Sequence, residues 1–204
     1  MTIYLLIDVV VGFFFCTLVV LALVDGGYKK HQNRLFAALS ICLLAWMVSN
    51  QISTSTSTPE LVAVSANYIL FSSSLAATLL IAKLLVQLVD TASSQRRRLK
   101  RLEPLMWLIV LLSATPLVGN GVENQGVVYG VIFGPAISLY AISLVLLLSI
   151  SGYAIFKGWN SHLAREKSQM RTIGLSFIIA APLSFALGFL IPFFSGRFED
   201  AQAS

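Results

Sequence analysis

Residues 60–89 have the sequence ELVAVSANYILFSSSLAATLLIAKLLVQLV, and this run determines how the rest of the chain is interpreted. After Glu60 its one charged residue is Lys83, and the run is longer than the ~20 residues that a helix needs to cross a bilayer. Thr58, Pro59 and Glu60 favour a helix start through a hydroxyl cap, a proline and an acid at the first turn. The run therefore predicts a transmembrane helix, with Lys83 snorkelling at one interface.

The composition extends this conclusion to the whole chain. The 204 residues are 57% hydrophobic and 11% charged, whereas soluble domains have about 25% charged residues. An ordinary soluble globule and a disordered chain are both excluded. We predict a single all-α integral membrane domain over residues 1–204, a bundle of six transmembrane helices. The expected spans are about 2–24, 35–52, 60–89, 102–118, 135–156 and 172–194.

The positions of the basic residues predict the orientation in the membrane. Of the 14 Lys and Arg residues, 12 lie in three clusters between apolar blocks: Lys29, Lys30 and Arg34; Arg96, Arg97, Arg98, Lys100 and Arg101; and Lys157, Arg165, Lys167 and Arg171. Cytoplasmic loops hold an excess of basic residues, so the N-terminus is expected outside and the chain in a plasma membrane. The second cluster is interpreted as a cytoplasmic anchor that contacts anionic lipid. Nucleic acid is not an expected partner.

The residues that catalysis or cofactor binding would need are missing from the predicted spans. Cys16 and Cys42 lie in apolar blocks without metal-ligand spacing, and His31 and His162 lie in loops where they cannot ligate haem together. Metalloprotease, nucleotide-binding and serine-hydrolase motifs are also missing. We predict neither enzymatic activity nor a cofactor.

Several polar and aromatic residues fall near the outer depth of the predicted spans. An ionisable group inside a span is costly, which makes Asp8 a functional candidate. Asn67, Phe71 and Ser74 share one helix face, as do Trp46 and Asn50. A ligand pocket open to the outside is predicted from Asp8, Trp46, Asn50, Asn67, Phe71, Ser74 and Tyr140. The alternative is that the hydroxyl residues only pack helices together and that Asp8 lies among lipid headgroups.

Two further features concern the second half of the chain. Pro182 removes one backbone hydrogen bond in the middle of the sixth predicted span and is a candidate hinge. The glycine-rich residues 119–134 predict either a small hairpin or the entry to the fifth helix.

The sequence QNRLFAALSICLLAW at residues 32–46 resembles the second helix of the seven-transmembrane sensor region of bacterial histidine kinases. Phe133-Gly134-Pro135 and residues 169–174, with Pro192 further on, are similar to later parts of that region. The resemblance implies a bacterial multi-pass sensor followed by a seventh helix and a cytoplasmic output domain. The phosphoacceptor His and the nucleotide-binding domain are missing from these residues, so kinase activity is not expected of them.

Three functions remain open at this point. The first is a sensory or receptor module that binds a small apolar or amphipathic ligand near the outer face. It would signal through the cytoplasmic ends of the third and fifth helices to a signalling protein, as a monomer or a homodimer. The second is a non-catalytic accessory or structural subunit of a larger membrane complex. The third is a component of a small-molecule permease.

Overall fold

The computed structural model describes residues 12–13, 16–17, 19–20, 31–89, 93–124, 129–160, 164, 167–168 and 170–175. Its main elements are α1 (His31–Thr54), α2 (Glu60–Leu88), α3 (Ser93–Ser113), β1 (Gly119–Asn124), β2 (Tyr129–Phe133) and α4 (Ile137–Trp159). Residues 170–175 are also helical. Among these residues the fold is mostly helical.

Three helices, α1, α2 and α4, are long and apolar enough to cross a membrane. They correspond to the second, third and fifth predicted spans, and each helix includes or nearly matches its predicted range. A multi-pass membrane protein with three candidate spans is therefore the architecture that the described residues support. Most of the predicted span 2–24 lies outside the described residues. The same is true of the predicted span 172–194.

The prediction for the fourth span is wrong at both ends. Helix α3 begins at Ser93 and ends at Ser113, not at 102 and 118, and it is not among the candidate spans. Its basic residues were predicted to lie in a loop, but Arg, Lys and Gln are good helix formers and do not end a helix. At the other end, Pro116 disfavours a helical conformation at the preceding residue, and residues 114–118 form turns instead.

The prediction of a helical fold is confirmed in part, since the described residues are mostly helical but β1 and β2 form an antiparallel hairpin. Gly119 pairs with Phe133 and Asn124 with Tyr129, and the register shifts between Gly119 and Gly121. Of the two interpretations of residues 119–134, the hairpin is correct. It places Phe133 beside Gly119, directly before the turn that leads into α4.

Helix α2 is the centre of the bundle. It packs against α1, α3, α4 and β1, and its core includes the fully buried Leu75 and Leu79. Five of its alanines are also buried: Ala63, Ala66, Ala76, Ala77 and Ala82. Small residues let helix backbones approach closely, which favours van der Waals packing where no hydrophobic driving force acts between helices.

The bundle has two distinct ends. We call the end with the start of α1, the end of α2 and the start of α3 the basic end, and the opposite end the hairpin end. Helix α4 also finishes at the basic end, because a Cβ added at Gly158 would lie 2.9 Å from Val89 Cγ2 and would also meet Met170. The ends of α2 and α4 and the segment 170–175 therefore meet there.

Candidate functional site

Two of the three residues of α2 that were predicted to share a face, Phe71 and Ser74, contact Tyr140 of α4 at the hairpin end. We call Asn67, Phe71, Ser74 and Tyr140 the hairpin-end cluster. Helix α2 supplies the first three at intervals of four and three residues, and this spacing places them on one side of a helix. Four of the seven predicted pocket residues are thus brought together.

The aromatic rings of the cluster pack edge to face. The Phe71 and Tyr140 ring centroids lie 5.3 Å apart at an interplanar angle of 85°. Phe133 of β2 approaches Phe71 in the same manner, at 6.5 Å and 64°. Such pairs contribute about 0.5–1.5 kcal/mol beyond the area they bury, so they help to hold the hairpin and α4 against α2 at Phe71.

A hydrogen bond ties α2 to α4 within the cluster. The Tyr140 hydroxyl donates to Ser74 Oγ at 3.1 Å. Most other helix hydroxyls bond to their own backbone, among them Ser65 to the Leu61 carbonyl and Thr78 to the Ser74 carbonyl. Ser74 therefore connects two helices, whereas Ser65 and Thr78 bond within their own helix.

The hairpin lies directly against the cluster. A Cβ added at Gly119 would lie 2.8 Å from Phe71 Cε2 and 3.9 Å from Asn67 Cβ, so β1 approaches α2 more closely than any side chain allows. Gly119 and Phe133 were missed as site residues by the sequence analysis. A glycine inside a strand is a known sign of close backbone approach, but the sequence left open whether a strand was present.

Asn67 is the most unusual residue of the cluster. Its side chain is completely buried, and neither Nδ2 nor Oδ1 has a hydrogen-bonding partner in the described part of the chain. A buried polar group without a partner costs about 1–3 kcal/mol. Such groups are rare in native proteins and point to a strained functional site, a water molecule or a ligand.

The other predicted pocket residues are placed differently. Trp46 lies on α1 with 42% of its surface exposed, and the Asn50 carbonyl accepts hydrogen bonds from Ser53 and Thr54. Neither joins the cluster by a hydrogen bond or ring contact among the described residues. Asp8 and Pro182 lie outside the described residues. Most of the cluster is closed, because Asn67, Phe71 and Tyr140 are each at most 8% exposed, whereas Ser74 is half-buried.

At the basic end, the five predicted anchor residues lie in the first turns of α3, and all are exposed: Arg96, Arg97, Arg98, Lys100 and Arg101. Lys83, predicted to snorkel at the interface, pairs with Glu103, with 2.5 Å between Nζ and Oε1. In the described ranges no three His, Cys, Asp or Glu side chains come close enough to hold a metal ion.

No protein-family model and no curated protein matches this sequence.

Proposed function

We propose that the chain is a membrane-embedded sensory module of a bacterial plasma membrane that binds a small amphipathic ligand at the hairpin end. This proposal includes an N-terminus on the outer side of the membrane and the resemblance to the sensor region of histidine kinases. The observation that carries it is the pair of unpartnered amide atoms of the buried Asn67. A ligand that offers both an acceptor and a donor would satisfy them.

The surroundings of Asn67 define the chemistry of that ligand. Phe71 lies one helical turn from Asn67 and packs its ring against that of Tyr140, and the other polar side chains of the cluster, Ser74 and Tyr140, are neutral. Ligand sites commonly combine apolar walls with a few polar groups that fix orientation. A small molecule with an apolar body and one amide or hydroxyl group fits this description better than an ion does.

A route for signalling runs from this cluster to the basic end. A ligand that competes for the Tyr140 hydroxyl breaks its bond to Ser74 and frees α4 to shift against α2. The other ends of these two helices meet at Gly158 and Val89. The proposed signal is therefore a displacement of the end of α4 relative to the end of α2, with the ligand binding the two arrangements unequally.

The variant Asn67→Leu tests the binding site. Removing an unpartnered amide is expected to leave the free energy of unfolding unchanged or to raise it by up to about 2 kcal/mol. Medium-chain primary amides and alcohols serve as probes and are expected to stabilise the wild-type protein. They should not stabilise the Asn67→Leu variant. Thermal unfolding of the full chain in detergent, with and without each probe, measures both effects.

Asn50→Leu is the matched control, because it makes the same chemical change at an amide that does not join the cluster. It should retain the wild-type response to the probes. A response that survives in Asn67→Leu, or a loss of stability above about 2 kcal/mol there, would contradict the proposal.

The closed packing of the cluster favours a second candidate, a non-catalytic accessory subunit in which the same residues only fasten helices together. In that case Asn67→Leu raises stability, and no probe stabilises the wild-type protein. The response of the wild-type protein to the probe panel separates the two candidates.

The proposed orientation is tested by cysteine labelling at two exposed positions, after the native Cys16 and Cys42 are replaced by alanine. Ser57 lies between α1 and α2, and Ser94 lies in the first turn of α3. A membrane-impermeant maleimide added to intact cells is expected to label Ser57→Cys and to spare Ser94→Cys until the cells are opened. The reverse pattern would overturn the orientation.

A further inference from the structure

We propose that a cleft at the basic end binds a phosphate group, carried by a lipid headgroup or by a soluble phosphorylated compound. The cleft has a volume of about 310 Å³ and lies where the start of α1, the end of α2 and the start of α3 meet. It is at the opposite end of the bundle from Asn67. The inference therefore goes beyond the proposed ligand site and does not depend on it.

The walls of the cleft are rich in donors. His31 comes from α1, Lys83 and Gln87 come from α2, and α3 supplies Arg96, Lys100 and Glu103. Three of these side chains carry a formal positive charge at pH 7 and one is a carboxylate, which leaves an excess of two positive charges. Helices α2 and α3 thus place their charged side chains around one small volume, and α1 adds His31.

The single carboxylate does not neutralise the cleft. Glu103 is already paired with Lys83 at 2.5 Å, and neither Arg96 nor Lys100 has a carboxylate partner among the described residues. Arg96 donates one long hydrogen bond, of 3.4 Å, to the Gln87 carbonyl, so most of its five donors remain for another acceptor. Residues 83–103 contain six Lys and Arg against two acids, so Asp90 cannot balance the excess either.

Helix α3 adds an independent reason for an anion. The N-terminus of a helix carries partial positive charge and is stabilised by acids, not by bases. The first turn of α3 has no acidic residue. It contains Arg96, and Arg97 and Arg98 follow directly after it. This arrangement is electrostatically unfavourable by itself. An anion held by Arg96 and Lys100 would relieve it.

The size and the lining of the cleft indicate which anion. A phosphate offers several acceptor oxygens and one or two negative charges, and the planar guanidinium of Arg96 can bind two of those oxygens at once. The buried Val86 and Leu99 provide an apolar side to the cleft, which suits the carbon atoms next to a phosphate ester. Basic pockets between transmembrane helices on the cytoplasmic side bind phospholipid headgroups in the same way.

The test uses the full chain purified in a maltoside detergent at low ionic strength. Dioctanoyl phosphatidate, dioctanoylglycerol and inorganic phosphate are titrated, and the shift in unfolding temperature gives the apparent affinity. We expect phosphatidate to bind and dioctanoylglycerol, which lacks the phosphate, not to bind. The variant Arg96→Gln/Lys100→Gln should weaken phosphatidate binding at least about tenfold, the loss of one or more charge-assisted contacts.

The variant Arg98→Gln/Arg101→Gln is the matched control, since it removes the same charge from the same helix outside the cleft. It should weaken binding by less than about twofold, as screened surface charges contribute little. Glu103→Gln frees Lys83 and should tighten phosphatidate binding. Equal losses in the two double variants, binding of dioctanoylglycerol as strong as that of phosphatidate, or weaker binding in Glu103→Gln would each overturn the proposal.

The inorganic phosphate arm identifies the source of the group. If millimolar phosphate displaces phosphatidate, the cleft recognises a soluble phosphorylated compound. If it does not, the cleft recognises the lipid headgroup at the membrane surface. Both results support a phosphate site. A result in which neither phosphatidate nor inorganic phosphate binds contradicts it.

Discussion

Replacing Gly134 by alanine is expected to lower the free energy of unfolding by about 3 kcal/mol, the upper part of the range for overpacked sites. Gly134 lies between β2 and α4, and its N–H donates to the Val118 carbonyl at 2.8 Å. An added Cβ would collide with the carbonyl oxygens of Pro116 and Leu117. Backbone atoms cannot move aside as the end of a flexible side chain can. Unfolding in mixed micelles by titration with dodecyl sulfate measures the loss.

Gly152→Ala is the matched control for this substitution. Gly152 lies in the middle of α4, where a Cβ would meet nothing within 4 Å. Alanine is favoured over glycine in a helix by roughly 0.5–1 kcal/mol, so this variant should be as stable as the wild type or more stable. If the two variants lost similar amounts of stability, the collision at Gly134 would not be the cause.

The effect at Gly134 should extend to the hairpin-end cluster. The turn at Gly134 connects Phe133 at the end of β2 with Tyr140 in the first turn of α4, and both rings pack against Phe71. If the turn is displaced, both ring contacts change together. Any probe response of the wild-type protein should therefore be weakened in Gly134→Ala even where the helices remain folded.

Hydropathy alone was sufficient to predict α1, α2 and α4, because a long apolar run has few alternatives to a membrane-spanning helix. It failed for α3. The first turns of that helix are strongly basic, and a hydropathy pattern marks where a chain enters the apolar region, not where a helix begins. Residues 93–101 show the difference, since they are helical without being apolar.

The candidate site was predictable only where it depends on one helix. Helical periodicity placed Asn67, Phe71 and Ser74 on one face because positions along a single helix have fixed relative directions. Gly119 and Phe133 reach the same place through a chain reversal, and no local pattern reports which helix a hairpin will contact. The same limit applies to Lys83 and Glu103, whose pairing depends on how α2 and α3 cross.

Breaking the pair between Lys83 and Glu103 is expected to have the second-largest effect on stability. Lys83→Met leaves a carboxylate that is 29% exposed, and Glu103→Leu leaves an ammonium group that is 16% exposed. Removing one partner of a fully buried pair costs 3–5 kcal/mol. Because these two groups keep some access to water, we expect each single variant to lose about 2 kcal/mol. The same dodecyl sulfate titration measures both.

The double variant Lys83→Met/Glu103→Leu distinguishes an ion pair from simple packing. With both charges gone and similar volumes in their place, most of the stability should return, and the double-mutant cycle should give a coupling of about 1–3 kcal/mol. Lys100→Met is the matched control, because this exposed lysine has no carboxylate partner in the described ranges, and it should change stability by less than about 0.5 kcal/mol. If the two single losses simply add in the double variant, apolar contacts hold α2 against α3 at the basic end. The ammonium group of Lys83 would then be available to bind a phosphate in the cleft.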